Sequence, residues 1–196
     1  MLEWLSSHWL EVFGFVSGAA CVLLAARRNV LNYPVGVVSA IVYIVVFFEV
    51  RLYADLGLQV VYIVLGITGW IGWQRSRAVD ERVATIHTPR RAIPVLVGAF
   101  AAIAVVITAL LMTLTDSTTP VADAATTASS LVAQYMLNRR WIETWFVWIA
   151  TDAALIALFI VKDLWITSLL YLVFIGLCVL GYRTWRRAPH EVAARA

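Results

Sequence analysis

Charge is what this sequence has least of. Asp, Glu, Lys and Arg make up 14% of its 196 residues, while 62% are hydrophobic and the mean hydropathy is +0.86. Soluble domains carry about 25% charged residues, so a water-soluble globule is excluded and an integral membrane protein remains. Lysine is nearly missing: Lys162 stands alone, and no phosphate-cradling Walker loop surrounds it. The two cysteines, Cys21 and Cys178, fall inside apolar runs, which argues against a disulfide framework and a thiolate metal site. His8, His87 and His190 all lie outside those runs, so no intramembrane metal cluster or Ser/His dyad is expected. No cofactor is expected either. Residues 14–18 do not reproduce a GxSxG nucleophile turn, and a membrane-embedded enzyme is the weaker alternative. Residues 1–9 lack a basic n-region and include Glu3, so the first apolar run reads as a retained helix, not a cleaved signal.

The sequence does contain apolar runs of membrane-spanning length. Spans at roughly 10–26, 34–50, 54–73, 92–115, 120–137, 142–161 and 164–184 are each close to the ~20 residues a bilayer requires. With seven crossings, Arg27, Arg28, Arg75, Arg77, Arg82, Arg90, Arg91, Arg139, Arg140, Arg183, Arg186, Arg187 and Arg195 collect on one side, and Arg51 and Lys162 on the other. The positive-inside rule then puts the N-terminus outside and the C-terminus in the cytoplasm. This asymmetry accounts for the basic pI near 9.1 without a nucleic-acid partner. The partners expected are the lipid bilayer and a small molecule.

The chain also repeats itself. An offset of 112 residues, which carries Trp73 onto Trp185, pairs Gly69 with Gly181, Leu58 with Leu170, Phe47 with Phe159, Arg27-Arg28 with Arg139-Arg140, Ser17 with Ser129, and Glu11 with Asp123. The expected organisation is a first three-helix repeat with a cytoplasmic linker over 1–91 and a connecting helix over 92–115. A second three-helix repeat follows over 116–187, with a cytoplasmic tail over 188–196. The uncharged run Ala92 to Thr115 has no repeat partner. As an odd crossing it sets the two copies parallel, and it is expected to lend no side chain to a substrate site. Parallel repeats of this kind are a transporter architecture with the cargo near the midplane.

Chemistry is expected where the copies disagree. Trp141, Trp145, Trp148 and Asp152 share one helix face, whereas the equivalent face of the second span is Asn29, Tyr33, Gly36 and Ala40. At 1.5 Å per residue Asp152 lies roughly 13 Å from the outer end of its span, a depth at which an ionisable group is expected to have a function. Gln59 and Tyr62 lie on a polar face of the third span, with Asp55. Thr127, Ser130 and Gln134 lie on one face of the fifth, with Asp123. Each has a plainer reading: interhelical hydrogen bonding for Asp152, Gln59, Thr127 and Ser130, an interfacial anchor for Trp145, and helix-start charges for Glu11 and Asp123. A carboxylate beside indole rings suits a flat cationic ligand such as a pyridinium or thiazolium compound. Glu11, Asp123, Glu143 and Asp152 could alternatively relay protons in a coupled carrier.

Four motifs, Asn32-Tyr33-Pro34-Val35-Gly36, Leu52-Tyr53-Ala54-Asp55-Leu56-Gly57-Leu58-Gln59, Gly69-Trp70-Ile71-Gly72-Trp73 and Glu143-Thr144-Trp145-Phe146-Val147-Trp148, resemble those of the PnuC family of bacterial vitamin transporters. The resemblance runs from about Glu11 to Trp185. It implies an all-α membrane protein with seven helices arranged three plus one plus three, SWEET-like, in the bacterial inner membrane. It also implies uptake of nicotinamide riboside by facilitated diffusion, with a cytoplasmic kinase trapping the cargo, and leaves a homo-oligomer open. Gln59, Tyr62 and the tryptophan stretch of the sixth span would then line the cavity, with Ser130, Gln134 and Thr127 beside them and Glu11, Asp123, Tyr171 and Glu143 as possible gate residues. Asp152 stands where riboside carriers of the family often have asparagine, and residue 122 is alanine where a tryptophan often precedes the acid. Thiamine and riboflavin are therefore alternative cargoes.

Overall fold

The computed structural model describes residues 2–49, 53–77, 85–115, 118–161 and 165–193. The side chains of Glu11 and Asp55 lie outside the described residues. The described chain is helical: α1 (Leu2–Ala26), α2 (Asn32–Glu49), α3 (Tyr53–Arg77), α4 (Ala92–Leu114), α5 (Pro120–Asn138), α6 (Thr144–Val161) and α7 (Trp165–Ala193). These follow the expected spans closely, because apolar runs bounded by arginine pairs, prolines and polar turns have few other ways to satisfy their backbone in lipid. Among the described residues, Leu56–Ser76, Ala92–Leu114 and Thr144–Val161 are long and apolar enough to cross a membrane.

Two ends differ from expectation. α1 begins at Leu2, before the apolar run. α7 does not give way to a tail after Arg187 but stays helical to Ala193, through Pro189. Pro189 has no N–H for the carbonyl of Trp185 four residues earlier. That carbonyl takes a hydrogen bond from Thr85 Oγ1 at 3.1 Å instead, so the helix is not interrupted by an unpaired acceptor.

The chain forms two compact units, Met1–Ala84 and Thr85–Ala196. Residues 85–91, expected as part of a linker attached to the first repeat, thus belong to the second unit. In the first unit α2 packs against both α1 and α3; in the second α6 packs against both α5 and α7, and α4 packs on α5. Ala92, Leu96 and Phe100 of α4 lean on Val132, Met136 and Trp141, yet no α4 residue is fully buried.

Within each unit the same contacts recur at the 112-residue offset. α1 ends in a paired 6→1 and 5→2 turn, with Asn29 N donating to Leu24 O at 2.8 Å and Arg28 N to Ala25 O at 2.9 Å. α5 ends the same way, with Trp141 N to Met136 O at 3.0 Å and Arg140 N to Leu137 O at 2.9 Å. The turn requires a left-handed residue, normally glycine, and both copies place arginine there, Arg28 at φ 58° and Arg140 at φ 63°. Ser17 bonds Ser39 at 3.0 Å, and Ser129 bonds Thr151 at 2.5 Å. Tyr33 meets Trp73 edge to face at 5.2 Å, and Trp145 meets Trp185 at 5.3 Å. Polar pairs and aromatic edges thus recur at the offset read from the sequence.

Candidate functional site

The second unit departs from the first at the aromatic crossing. Trp145 enters on the first turn of α6 and is buried to 1% exposure against Trp185. Gly181 of α7 makes the room, since a Cβ there would lie 2.5 Å from the indole ring. The indole Nε1–H is buried and finds no acceptor among the described residues. Buried donors of this kind nearly always have a partner, which sets this indole apart from the rest of the core. Tyr33, the equivalent residue in the first unit, occupies the same edge-to-face contact.

Two turns further along α6, Asp152 is 5% exposed. Its one described partner is the thiol of Cys178 on α7, with Sγ 3.7 Å from Oδ2. The first unit has Ala40 and Gly66 at these positions. The carboxylate and the thiol are therefore confined to the second unit. Cys178 carried no functional signal by itself, because a cysteine in an apolar helix reads as packing; its joint disagreement with Gly66 at the repeat offset was the available clue.

The other expected site residues separate by role. On α5, Ser130 Oγ returns to Thr126 O at 2.9 Å, Gln134 Nε2 donates to Asn138 Oδ1 at 3.2 Å, and Thr127 is half-buried. Trp148 is also half-buried. Trp141, expected on the same helical stripe, instead precedes α6 and is committed to the core with Val132 and Met136. In the first unit Gln59 and Tyr62 are half-buried on α3. Asp123 accepts from Thr119 Oγ1 at 3.1 Å in the first turn of α5, where a carboxylate also meets the helix dipole. Tyr171 sits in an aromatic group with Phe159 and Phe174, at 5.2 and 5.3 Å. Glu143 instead holds the chain before α4: His87 Nδ1 lies 2.8 Å from Oε1, and the Thr88 amide and hydroxyl both reach Oε2 at 2.7 Å. Burial pushes this carboxyl up, but the hydrogen bonds from Thr88 and His87 outweigh it and hold it below the ordinary glutamate value.

An open groove of about 300 Å³ runs between α4 and α5, lined by Ile93, Leu96, Val97, Phe100, Val132 and Met136 among others. Its lining is apolar along α4, and Thr88, Ser129 and Glu143 are the polar residues that line it. Asp152 and Trp145 do not line it. Among the described residues no group of His, Cys, Asp and Glu could hold a metal ion.

Long apolar helices, one of them carrying a buried carboxylate, define a multi-pass membrane protein. Comparison with known proteins gives the family. The nicotinamide mononucleotide transporter family profile matches residues 8–187. The nicotinamide riboside transporter PnuC of Escherichia coli (strain K12) is 24% identical over 213 residues, covering 96% of this chain and 89% of that protein. The riboflavin/roseoflavin transporter RibM of Streptomyces davaonensis is 26% identical over 198 residues, covering 94% and 92%. A crystal structure of the vitamin B3 transporter PnuC matches with a TM-score of 0.73 at 26% identity, covering 94% of this chain and 83% of that one. The chain belongs to the nicotinamide mononucleotide transporter family and is a membrane vitamin transporter.

Proposed function

We propose that this protein takes up nicotinamide riboside by facilitated diffusion, and that Asp152 and Trp145 form the part of its site that reads the cationic ring. The carrying observation is the buried Asp152 carboxylate, placed in one copy only, whose described partner is a weakly donating thiol. A carboxylate left so sparsely bonded in a dry interior favours an approaching cation. The pyridinium of nicotinamide riboside supplies one, and the indole faces of α6 add cation–π attraction. The unpartnered Trp145 N–H can donate to a carboxamide or ribose oxygen.

In this reading the chain crosses the bacterial inner membrane seven times, N-terminus outside, as two parallel triple-helix bundles joined by α4 in a SWEET-like arrangement. Gln59 and Tyr62 line the path with Trp148, Thr127, Ser130 and Gln134. Glu11, Asp123 and Tyr171 lie toward the outer gate. A cytoplasmic kinase phosphorylates the cargo and prevents its return, and the carrier works as a monomer or within a homo-oligomer.

Riboflavin is the second reading, favoured by the similarity to RibM over 94% of the chain; thiamine, another cation, shares the first argument. Uptake of the three vitamins by proteoliposomes, each with and without a proton gradient, separates these readings. Gradient-independent uptake of nicotinamide riboside is expected. Riboflavin uptake alone would replace that cargo, and uptake abolished by dissipating the gradient would replace facilitated diffusion.

A further inference from the structure

Residues 85–88 form a strap that the repeat does not explain. Ile86 pairs with Trp141 in an isolated parallel bridge, its N–H donating to Arg140 O at 3.1 Å and its carbonyl accepting from Ile142 N at 3.0 Å. On one side of the bridge Thr85 Oγ1 fills the Trp185 carbonyl that Pro189 leaves open. On the other, the Glu143 carboxylate accepts from His87 Nδ1 and twice from Thr88. The strap thus ties the start of α6 to the C-terminal part of α7 at Trp185. These are the two segments that enclose Trp145: it lies two residues after Glu143, and its ring stands edge to face on Trp185. Among the described residues no such strap meets the Tyr33–Trp73 crossing of the first unit, where Leu31 occupies the Glu143 position.

We infer that Glu143 is a positioning residue for cargo binding: through the 85–88 strap it fixes the α6–α7 crossing so that the Trp145 indole is presented in its binding orientation. The inference rests on the reading that Trp145 contacts the cargo. A fixed carboxylate accepting three hydrogen bonds, two of them from a single threonine, holds a register more tightly than the exposed ion pair that a lone His87–Glu143 contact would be. A loosened strap leaves Trp145 buried but frees its ring to take several orientations, which raises the ordering cost of binding.

The test is a double-mutant cycle on the purified full chain, with nicotinamide riboside as the calorimetric probe. Glu143→Ala is expected to weaken binding about tenfold in the native background but less than twofold when Trp145 is already Phe. Glu143→Gln keeps an acceptor for Thr88 and is expected to recover most of the loss. Thr88→Val, a gentler change suited to the case where Glu143→Ala does not fold, is expected to lose about threefold, again only when Trp145 is present. Equal losses in both backgrounds, or none in the native one, would overturn the inference while leaving Trp145 as a cargo contact. If Trp145→Phe by itself binds the probe as tightly as the native protein, the cargo reading and this inference fail together.

Discussion

Cys178 and Asp152 face each other across the α6–α7 contact, thiol sulfur 3.7 Å from carboxylate oxygen, at positions where the first copy has Gly66 and Ala40. The carboxylate and the thiol are confined to the second unit, and Asp152 lies two turns along α6 from Trp145, whose indole N–H finds no acceptor among the described residues.

Replacing Asp152 with Asn keeps hydrogen-bonding capacity and removes charge, while Ala removes both. A hydrogen-bonded charge contributes about 1.5–3 kcal/mol, so Asp152→Ala is expected to weaken binding of a cationic vitamin by one to two orders of magnitude. Asp152→Asn is expected to lose less. Titration of both variants with nicotinamide riboside and thiamine checks this order, and equal affinity of both variants and the native protein would remove the cation partner.

Gly181→Ala forces a methyl into the Trp145 ring, because the added Cβ would lie 2.5 Å from it. Overpacking of this kind costs about 1–3 kcal/mol. The variant is expected to melt at a lower temperature and to bind cargo more weakly, whereas Gly176→Ala, where nothing lies within 4 Å, is expected to do neither. Thermal melts with and without cargo compare the two.

Arg28 and Arg140 both hold left-handed backbone at the end of a helix. A non-glycine residue pays roughly 1–2 kcal/mol for that conformation, so Arg28→Gly and Arg140→Gly are each expected to raise thermal stability. A fall in both would mean that the arginine side chains contribute more than the backbone strain costs.

Glu143 has a depressed pKa, so its contribution is complete above the ordinary carboxylate range and disappears as pH falls through the folded value. The strap should hold at neutral pH and release only under acid. Protection factors for the Ile86 and Ile142 amides, followed by hydrogen exchange, are expected to stay constant across the neutral range and to collapse only as pH falls below the ordinary glutamate value. Glu143→Gln is expected to show no such acid step. A collapse already complete near neutrality would contradict the assignment.

Most of the fold was legible because hydropathy, arginine pairs and the repeat offset all report the same helices. Pairs such as Ser17–Ser129 and Trp73–Trp185 were visible at that offset before any contact was known. The strap was not legible: Thr85, Ile86, His87 and Thr88 have no helical period, and their partners Glu143 and Trp185 lie 55 and 100 residues away. Hydrogen bonds over such separations leave no local pattern. The continuation of α7 was hidden for a related reason, since Pro189 reads as a stop unless its orphaned carbonyl is seen to be filled from elsewhere. The Asp152–Cys178 contact was half visible, the acid by its depth and the thiol only by comparison with Gly66.

The proposed cargo recognition stands or falls with Asp152 and Trp145 reading the cation in the second unit. Isothermal titration of the purified protein with nicotinamide riboside, alongside Asp152→Ala and Trp145→Phe, addresses it directly. The account predicts saturable binding by the native chain, a loss of tenfold or more in the first variant, and a loss of roughly three- to tenfold in the second, the worth of one hydrogen bond. Undiminished binding by both variants would contradict it.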